Sequence, residues 1–355
     1  MKKKNSCLCW ICNSLLLMVL VSSAACSSPF HQSASLPQQP TKMAVNLALP
    51  GQQIWKQGVS SYLFGTNDTY EWADNNNNIE TQPLFQQALR DAGFTLIRTF
   101  IRDGSSDANI ETRIQTIENS GAHCLGVITN IYHTDFDEHL VRYLGDRCQL
   151  YEFGNEVDLN DVSIGDYLEQ WNKTIPLLRK INPNAKFIGP VTYSYEGKNN
   201  FLHDFLVGVK ASGVLPDAVS FHWYPCNGDD QESCLKKASS AGPSANVVGD
   251  EVRAILGKSL PIGITEWNYD PNNPPPAYGE KADFMTEFST RALSSMIQAG
   301  VTFACQFDAG SDAGYGRLDM FDTATNDIKP QYYAIKSIIQ QYRLSGQETP
   351  SPTGN

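Results

Sequence analysis

Alternation along the chain restricts its fold more than any other feature. Short apolar runs rich in Val, Ile, Phe and Thr occur at residues 62–66, 95–101, 123–130, 149–155, 186–192, 218–224, 261–267 and 302–308. Amphipathic stretches of helical length separate them, at 82–92, 110–120, 136–144, 164–181, 201–212, 249–256 and 281–299, and a last one at 331–342 follows the eighth run. A parallel strand must return over the sheet before its neighbour can form, and a helix is the usual way back. This period is therefore the sequence mark of βα units. Four helical stretches end on a glycine, at Ala92-Gly93, Ser120-Gly121, Ser212-Gly213 and Ala299-Gly300, where a left-handed cap is expected. Eight units in strict order predict a closed (β/α)8 TIM barrel, because open sheets of this class usually carry fewer strands and begin with a glycine-rich phosphate turn. No GxGxxG occurs, and no internal repeat beyond the βα period itself.

The barrel takes residues 51–345 of the 355. Ahead of it, Lys2, Lys3 and Lys4 precede an apolar run at 15–21 and small residues at 22–25, the pattern of a secretion signal over 1–25. The run is too short to span a bilayer. Ser23-Ala24-Ala25-Cys26 resembles the end of a lipoprotein signal, which implies a lipid anchor on Cys26. Residues 26–50, rich in Ser, Gln and Pro, read as a flexible tether, and 346–355 as a disordered tail. Removing the signal takes away three lysines and no other charge, so the formal charge falls from −11 to −14. An acidic body without a basic run repels phosphate backbones and excludes nucleic acid as a partner, whereas neutral glycans carry no such penalty. The expected protein is an exported monomer, secreted or held at the cell surface, that touches membrane only through the Cys26 lipid.

Cysteine usage agrees with export. Cys226 and Cys234 close a short loop after the sixth run, while Cys124 and Cys148 each open one of two successive strands that lie side by side. Two disulfides are expected, with Cys305 a buried thiol in its apolar run. The mature chain has no CxxC or HExxH spacing, so neither a metal nor another cofactor is expected.

In a barrel of this kind the βα loops converge at the carboxyl ends of the strands, and polar residues there are the candidates for chemistry. They are Asn67, Asp68, Arg98, Asn130, His133, Asn155, Glu156, Tyr193, His222, Tyr224, Glu266, Gln306 and Asp308. Glu156 and Glu266 stand out, because each ends a strongly apolar strand where an idle carboxylate is expensive to desolvate. Strands four and seven lie on roughly opposite sides of an eight-strand ring, so the two would face each other. Glycosidic cleavage needs such a pair, one carboxyl to protonate the departing oxygen and one to attack the anomeric carbon or activate water.

The Asn-Glu within YEFGNEVD (151–158), paired with the Glu within PIGITEWN (261–268), resembles the retaining glycoside hydrolases of clan A. DAVSFHWYP (217–225) and KPQYYAIK (329–336) are similar to the sixth strand and the start of the last helix of that clan, so the likeness runs along the whole barrel. The resemblance implies a retaining O-glycosidase acting on a β-linked polysaccharide or oligosaccharide, with Glu156 as general acid/base and Glu266 as nucleophile. It implies Asn155 on the 2-hydroxyl of the sugar, Tyr224 orienting the nucleophile, His222 on the same face and Arg98 beside Glu266. An arginine there keeps Glu266 ionised, while an apolar surround keeps Glu156 protonated. Trp267, with Trp223 and Trp72, is expected to offer stacking faces to sugar, and His133 to touch substrate. Val157 stands where many clan members have proline, and Gln306-Phe307 where many have tryptophan. The proline-rich loop at 270–278 and the loop at 310–322, with Tyr315 and Arg317, are expected to wall the cleft. Two other functions fit the same pattern: a glycan-binding surface lipoprotein without hydrolysis, whose signature would be a lost carboxylate, and a transglycosylase using the same two glutamates.

Overall fold

The computed structural model describes residues 49–68, 78–160, 162–310 and 315–344. The signal, Cys26, nearly all of the tether, Trp72 and the tail fall outside them. Eight parallel strands form the barrel: β1 (Gly65–Asn67), β2 (Leu96–Ile101), β3 (His123–Ile128), β4 (Cys148–Phe153), β5 (Lys186–Ile188), β6 (Val219–Trp223), β7 (Ile262–Trp267) and β8 (Phe303–Gln306). They are bonded in the order β5-β4-β3-β2-β1-β8-β7-β6. Isolated parallel bridges at Ile188↔Ala218 and Thr192↔Phe221 join the two ends and close the ring.

The helices alternate with the strands as expected: α1 (Pro83–Ala92), α2 (Asp107–Asn119), α3 (Thr134–Leu144), α4 (Ile164–Ile181), α5 (Phe201–Ser212), α6 (Gln231–Lys237) and α7 (Ala241–Leu256) in the sixth unit, α8 (Ala282–Ala299), and α9 (Pro330–Tyr342) after β8. All four expected glycine stops hold a left-handed backbone, with φ of 90° at Gly93, 68° at Gly121, 79° at Gly213 and 72° at Gly300. α7 starts well before the stretch at 249–256, because Pro243 falls in its first turn, where no intrahelical N–H bond is lost. Gly242 permits close packing on α8, since a Cβ there would lie 2.3 Å from the Ser295 carbonyl oxygen. β5 is shorter than its apolar run because Gly189-Pro190 cannot continue the ladder. Among the described residues, no helix is long and apolar enough to cross a membrane.

Strand alternation sorts the buried side chains into two sets. One set packs between strands and helices, as Phe153 does edge-on against Trp171 of α4 at 5.8 Å. The other fills the lumen. At its floor, Leu96, Leu150 and Phe303 of β2, β4 and β8, with Ala218 just before β6, meet Leu125, Ile188, Tyr62 and Leu49. Two residues further along the same even strands, hence on the same face, come Arg98, Glu152, Ser220 and Cys305. The lumen thus changes from apolar to polar within one layer. Both expected disulfides are present, Cys124–Cys148 between register partners of β3 and β4, and Cys226–Cys234 in the loop after β6. Cys305 is a buried free thiol.

Candidate active site

Arg98 is the hub of the barrel mouth. It is fully buried, and every nitrogen of its guanidinium has a partner. Nε donates to Glu152 Oε2 at 2.6 Å, Nη1 to Glu266 Oε1 at 2.7 Å and Asn67 Oδ1 at 2.9 Å, and Nη2 to Asn155 Oδ1 at 2.6 Å. His222 Nε2 lies 3.4 Å from Nη2. Burial opposes the charge of Arg98, but Glu152 and Glu266 outweigh it and hold the guanidinium above its ordinary range. One cation thereby fixes residues from β1, β2, β4 and β7 against one another.

Glu266 is held at both oxygens, by Arg98 on Oε1 and by the Tyr224 hydroxyl on Oε2 at 2.9 Å. Its side chain is 9 % exposed. Burial and the nearby Glu266 and Glu156 carboxylates push the Tyr224 phenol well above its usual range, so it stays a donor. A shift of register at the end of β7 and another between Phe221 and His222 of β6 bring His222 and Glu266 side by side. Irregular pairing of this kind re-aims side chains beside active sites.

Glu156 projects from the chain just past β4. Its φ of 44° is left-handed, as is the φ of 56° at Val191, whose carbonyl accepts the Glu156 N–H at 3.0 Å. Each conformation costs about 1–3 kcal/mol and persists because its surroundings over-determine it. Gly154, at φ 88°, makes the turn; a Cβ there would lie 2.5 Å from the Val157 side chain. The Glu156 side chain is 26 % exposed, more open than Glu266, and Oε1 meets His222 Nδ1 at 2.7 Å. His222 Nδ1 also lies 3.5 Å from Glu266 Oε2. One carboxylate oxygen from each glutamate and a ring nitrogen of His222 fall within 4.8 Å of one another.

The electrostatics differ from expectation in one respect. Burial raises the Glu156 carboxyl, but the charge and hydrogen bond of His222, helped by Arg98, overcome it and set the group below its usual range. His222 is raised in turn: burial opposes its charge, and Glu266 and Glu156 more than compensate. The two shifts run in the same sense, each favouring the charged form of its own group.

A divalent cation would find three donor groups in Glu156, His222 and Glu266. The Arg98 guanidinium, 2.7 Å from Glu266 Oε1, places a fixed positive charge against the same carboxylate, so the donor set does not fit a metal.

Of the residues expected to bind sugar, Arg98, Asn155, His222 and Tyr224 converge here with the two glutamates. Trp267 does not. It follows Glu266 directly, so its side chain points to the opposite face, where it is 1 % exposed and packed in the core. Trp223 faces the same way and stacks on Phe288 of α8 at 5.8 Å. His133 stays on the rim with its side chain 53 % exposed, paired with Asp103, which also accepts from Asn130 at 3.1 Å. Asp308 is fully buried; burial and Asp319 push its carboxyl well up, against the pull of Lys329. The two expected walls are tied together, since Arg317 donates to Pro275 O at 2.5 Å and to Glu280 at 2.7 Å. Sequence reasoning missed Glu152 and Ser220, although a charged residue two places after Leu150, in an otherwise apolar strand, was a signal that the lumen turns polar there.

No family model matches the chain, and no curated protein matches it. Solved structures do. A glucosidase from Croceicoccus marinus is similar at 17 % identity and a TM-score of 0.62, covering 79 % of this chain and 67 % of its own. An alpha-L-arabinofuranosidase from Thermotoga maritima, in an arabinose complex, is similar at 12 % identity and a TM-score of 0.59, over 82 % of this chain and 71 % of its own. A family 44 endoglucanase from Clostridium thermocellum is similar at 14 % identity and a TM-score of 0.50, over 75 % of each chain. The fold is thus the (β/α)8 barrel that glycoside hydrolases of clan A adopt.

Proposed function

We propose that the protein is an exported retaining O-glycosidase, with Glu266 as nucleophile and Glu156 as general acid/base, acting on a β-linked polysaccharide or oligosaccharide. The carrying observation is the unlike treatment of two facing carboxylates whose nearest atoms lie within 4.8 Å. That closeness fits the carboxyl spacing of about 5–5.5 Å used for double displacement rather than the wider gap that admits a water for inversion. Glu266 is pinned at both oxygens, as a group that must meet the anomeric carbon at a set angle requires. Glu156 is more open, as a group that protonates a departing oxygen and then deprotonates a water requires.

Asn155, held by Arg98 at Oδ1, keeps its amide hydrogens for the 2-hydroxyl of the sugar. His222 is one hydrogen bond from Glu156, and a substrate that excludes water from the pair disfavours both charged forms and so favours a protonated carboxyl at Glu156. The similar solved structures include a glucosidase, an arabinofuranosidase and an endoglucanase, which sets the first substrates to try.

The test is product release by the mature protein from β-glucan, mannan, xylan, galactan and an aryl arabinofuranoside, with proton NMR of the first sugar formed. Release of the anomer present in the substrate is the expected result. Release of the opposite anomer overturns the retaining assignment, and transfer to a sugar acceptor in place of water makes the protein a transglycosylase.

A further inference from the structure

Glu152 has a task that the retaining reading, on which this inference rests, does not itself assign. Its side chain is wholly enclosed. One oxygen accepts Arg98 Nε at 2.6 Å and the other accepts the Ser220 hydroxyl at 2.6 Å. Arg98 has two carboxylate counterions, Glu152 below and Glu266 above. In the first chemical step, Glu266 forms a bond to the anomeric carbon. The glycosidic C–O bond breaks, and Glu156 gives its proton to the leaving oxygen. The Glu266 carboxylate becomes an uncharged ester. Arg98 then keeps a single full counterion, and a buried guanidinium with none is costly.

We propose that Glu152 is a positioning residue that carries the counter-charge of Arg98 through the glycosyl-ester stage, so that Arg98 can orient Glu266 without holding it back as a carboxylate. With Glu152 neutralised, Arg98 is left to Glu266 alone. The resting carboxylate then gains stability relative to the ester. Formation of the ester slows, while its hydrolysis, which restores the carboxylate, does not. A residue that only supported the fold would slow both steps or neither.

Glu152→Gln keeps the shape and removes the charge. The probe is the 2,4-dinitrophenyl 2-deoxy-2-fluoro glycoside of the sugar the wild type releases, whose leaving group needs no acid and whose fluorine lets the ester accumulate. The expected result is dinitrophenolate release, and mass-detected ester at Glu266, slowed about 10- to 100-fold. Recovery of activity after the probe is removed should be unchanged or faster. Ser220→Ala removes one hydrogen bond to Glu152 and no charge, and should leave ester formation within about 2-fold of the wild type. If Glu152→Gln does not fold, Glu152→Ala in the Ser220→Ala background, which also removes the charge, should show the same slowed ester formation with recovery unchanged. Equal slowing of both steps, or unaltered ester formation, overturns the role of Glu152. A wild type that forms no ester at Glu266 overturns the retaining reading instead.

Discussion

At the floor of the barrel, Leu96, Leu150, Ala218 and Phe303 meet as a dry plug; one pleat further on, the same four strands present Arg98, Glu152, Ser220 and Cys305. The two layers share a backbone and differ in what they spend their burial on. The floor gains stability from apolar area removed from water. The mouth encloses Arg98 and Glu152 completely, an arrangement that adds little net stability and suits orientation instead. Substitutions should therefore separate: floor changes should act on stability and mouth changes on chemistry.

The sharpest way to break that contrast is Glu266→Ala. Turnover should fall about 10⁴-fold or more, with the melting temperature near that of the wild type because Arg98 retains Glu152, and added azide should restore part of the rate as a glycosyl azide of inverted configuration. A variant that loses its fold along with its activity would place Glu266 in the stabilising layer. At the other end of the lumen, Phe303→Ala should lower unfolding stability by about 3–5 kcal/mol in denaturant titrations while kcat of the folded fraction stays unchanged. A fall in kcat would show that the floor transmits to the site.

The disulfides allow a finer comparison, one at each end. Cys124–Cys148 spans 24 residues and Cys226–Cys234 spans 8. Loop-closure entropy gives about 3.5 kcal/mol for the first and about 2.5 kcal/mol for the second. Replacing the first pair with serine should cost more stability and leave kcat alone. Replacing the second should cost less and lower kcat, because Cys226 lies two residues from Tyr224 and its N–H bonds Tyr269 O at 3.0 Å, joining the loops after β6 and β7. Equal effects on kcat would make that clasp irrelevant to Tyr224.

The smallest effect is a shift in pH dependence. His222 holds Glu156 below the usual carboxylate range, and an acid catalyst must be protonated. His222→Gln leaves burial opposed only by Arg98, so Glu156 rises and the alkaline limb of kcat/KM moves to higher pH. Stability follows the same pair. The raised His222 stabilises below its unfolded value and loses that contribution as pH rises through its folded one. The depressed Glu156 stabilises above its unfolded value and loses that contribution as pH falls through its folded one. His222→Gln should therefore flatten both limbs of a plot of melting temperature against pH. An unmoved alkaline limb would mean that His222 does not govern the Glu156 proton.

The barrel was legible because strands buried on both faces read as continuous apolar runs, and helices that end on glycine announce their stops. The beginning of α7 was not, since Gly242-Pro243 has the composition of a turn and only the close approach of Ser295 explains it. The two glutamates, Arg98, Asn155, His222 and Tyr224 were legible as polar ends of apolar strands. Trp267 is next to Glu266 in sequence yet lies in the core, since along a strand the next residue is the one that faces away. The Glu156 proton could not be read either. Its state depends on a 2.7 Å approach by a histidine 66 positions later, which no local pattern encodes.

The seam between β5 and β6 has a mechanical consequence. A hoop bonded by named strand ladders elsewhere and joined there only by two isolated bridges should yield first along that line. Val191 and Thr192 lie on it, and the Val191 carbonyl is the tether of the Glu156 backbone. Opening along that line should move Glu156 before Glu266, which Arg98 and Tyr224 hold at both oxygens. Amide protons along this seam should be the first of the barrel to exchange with solvent.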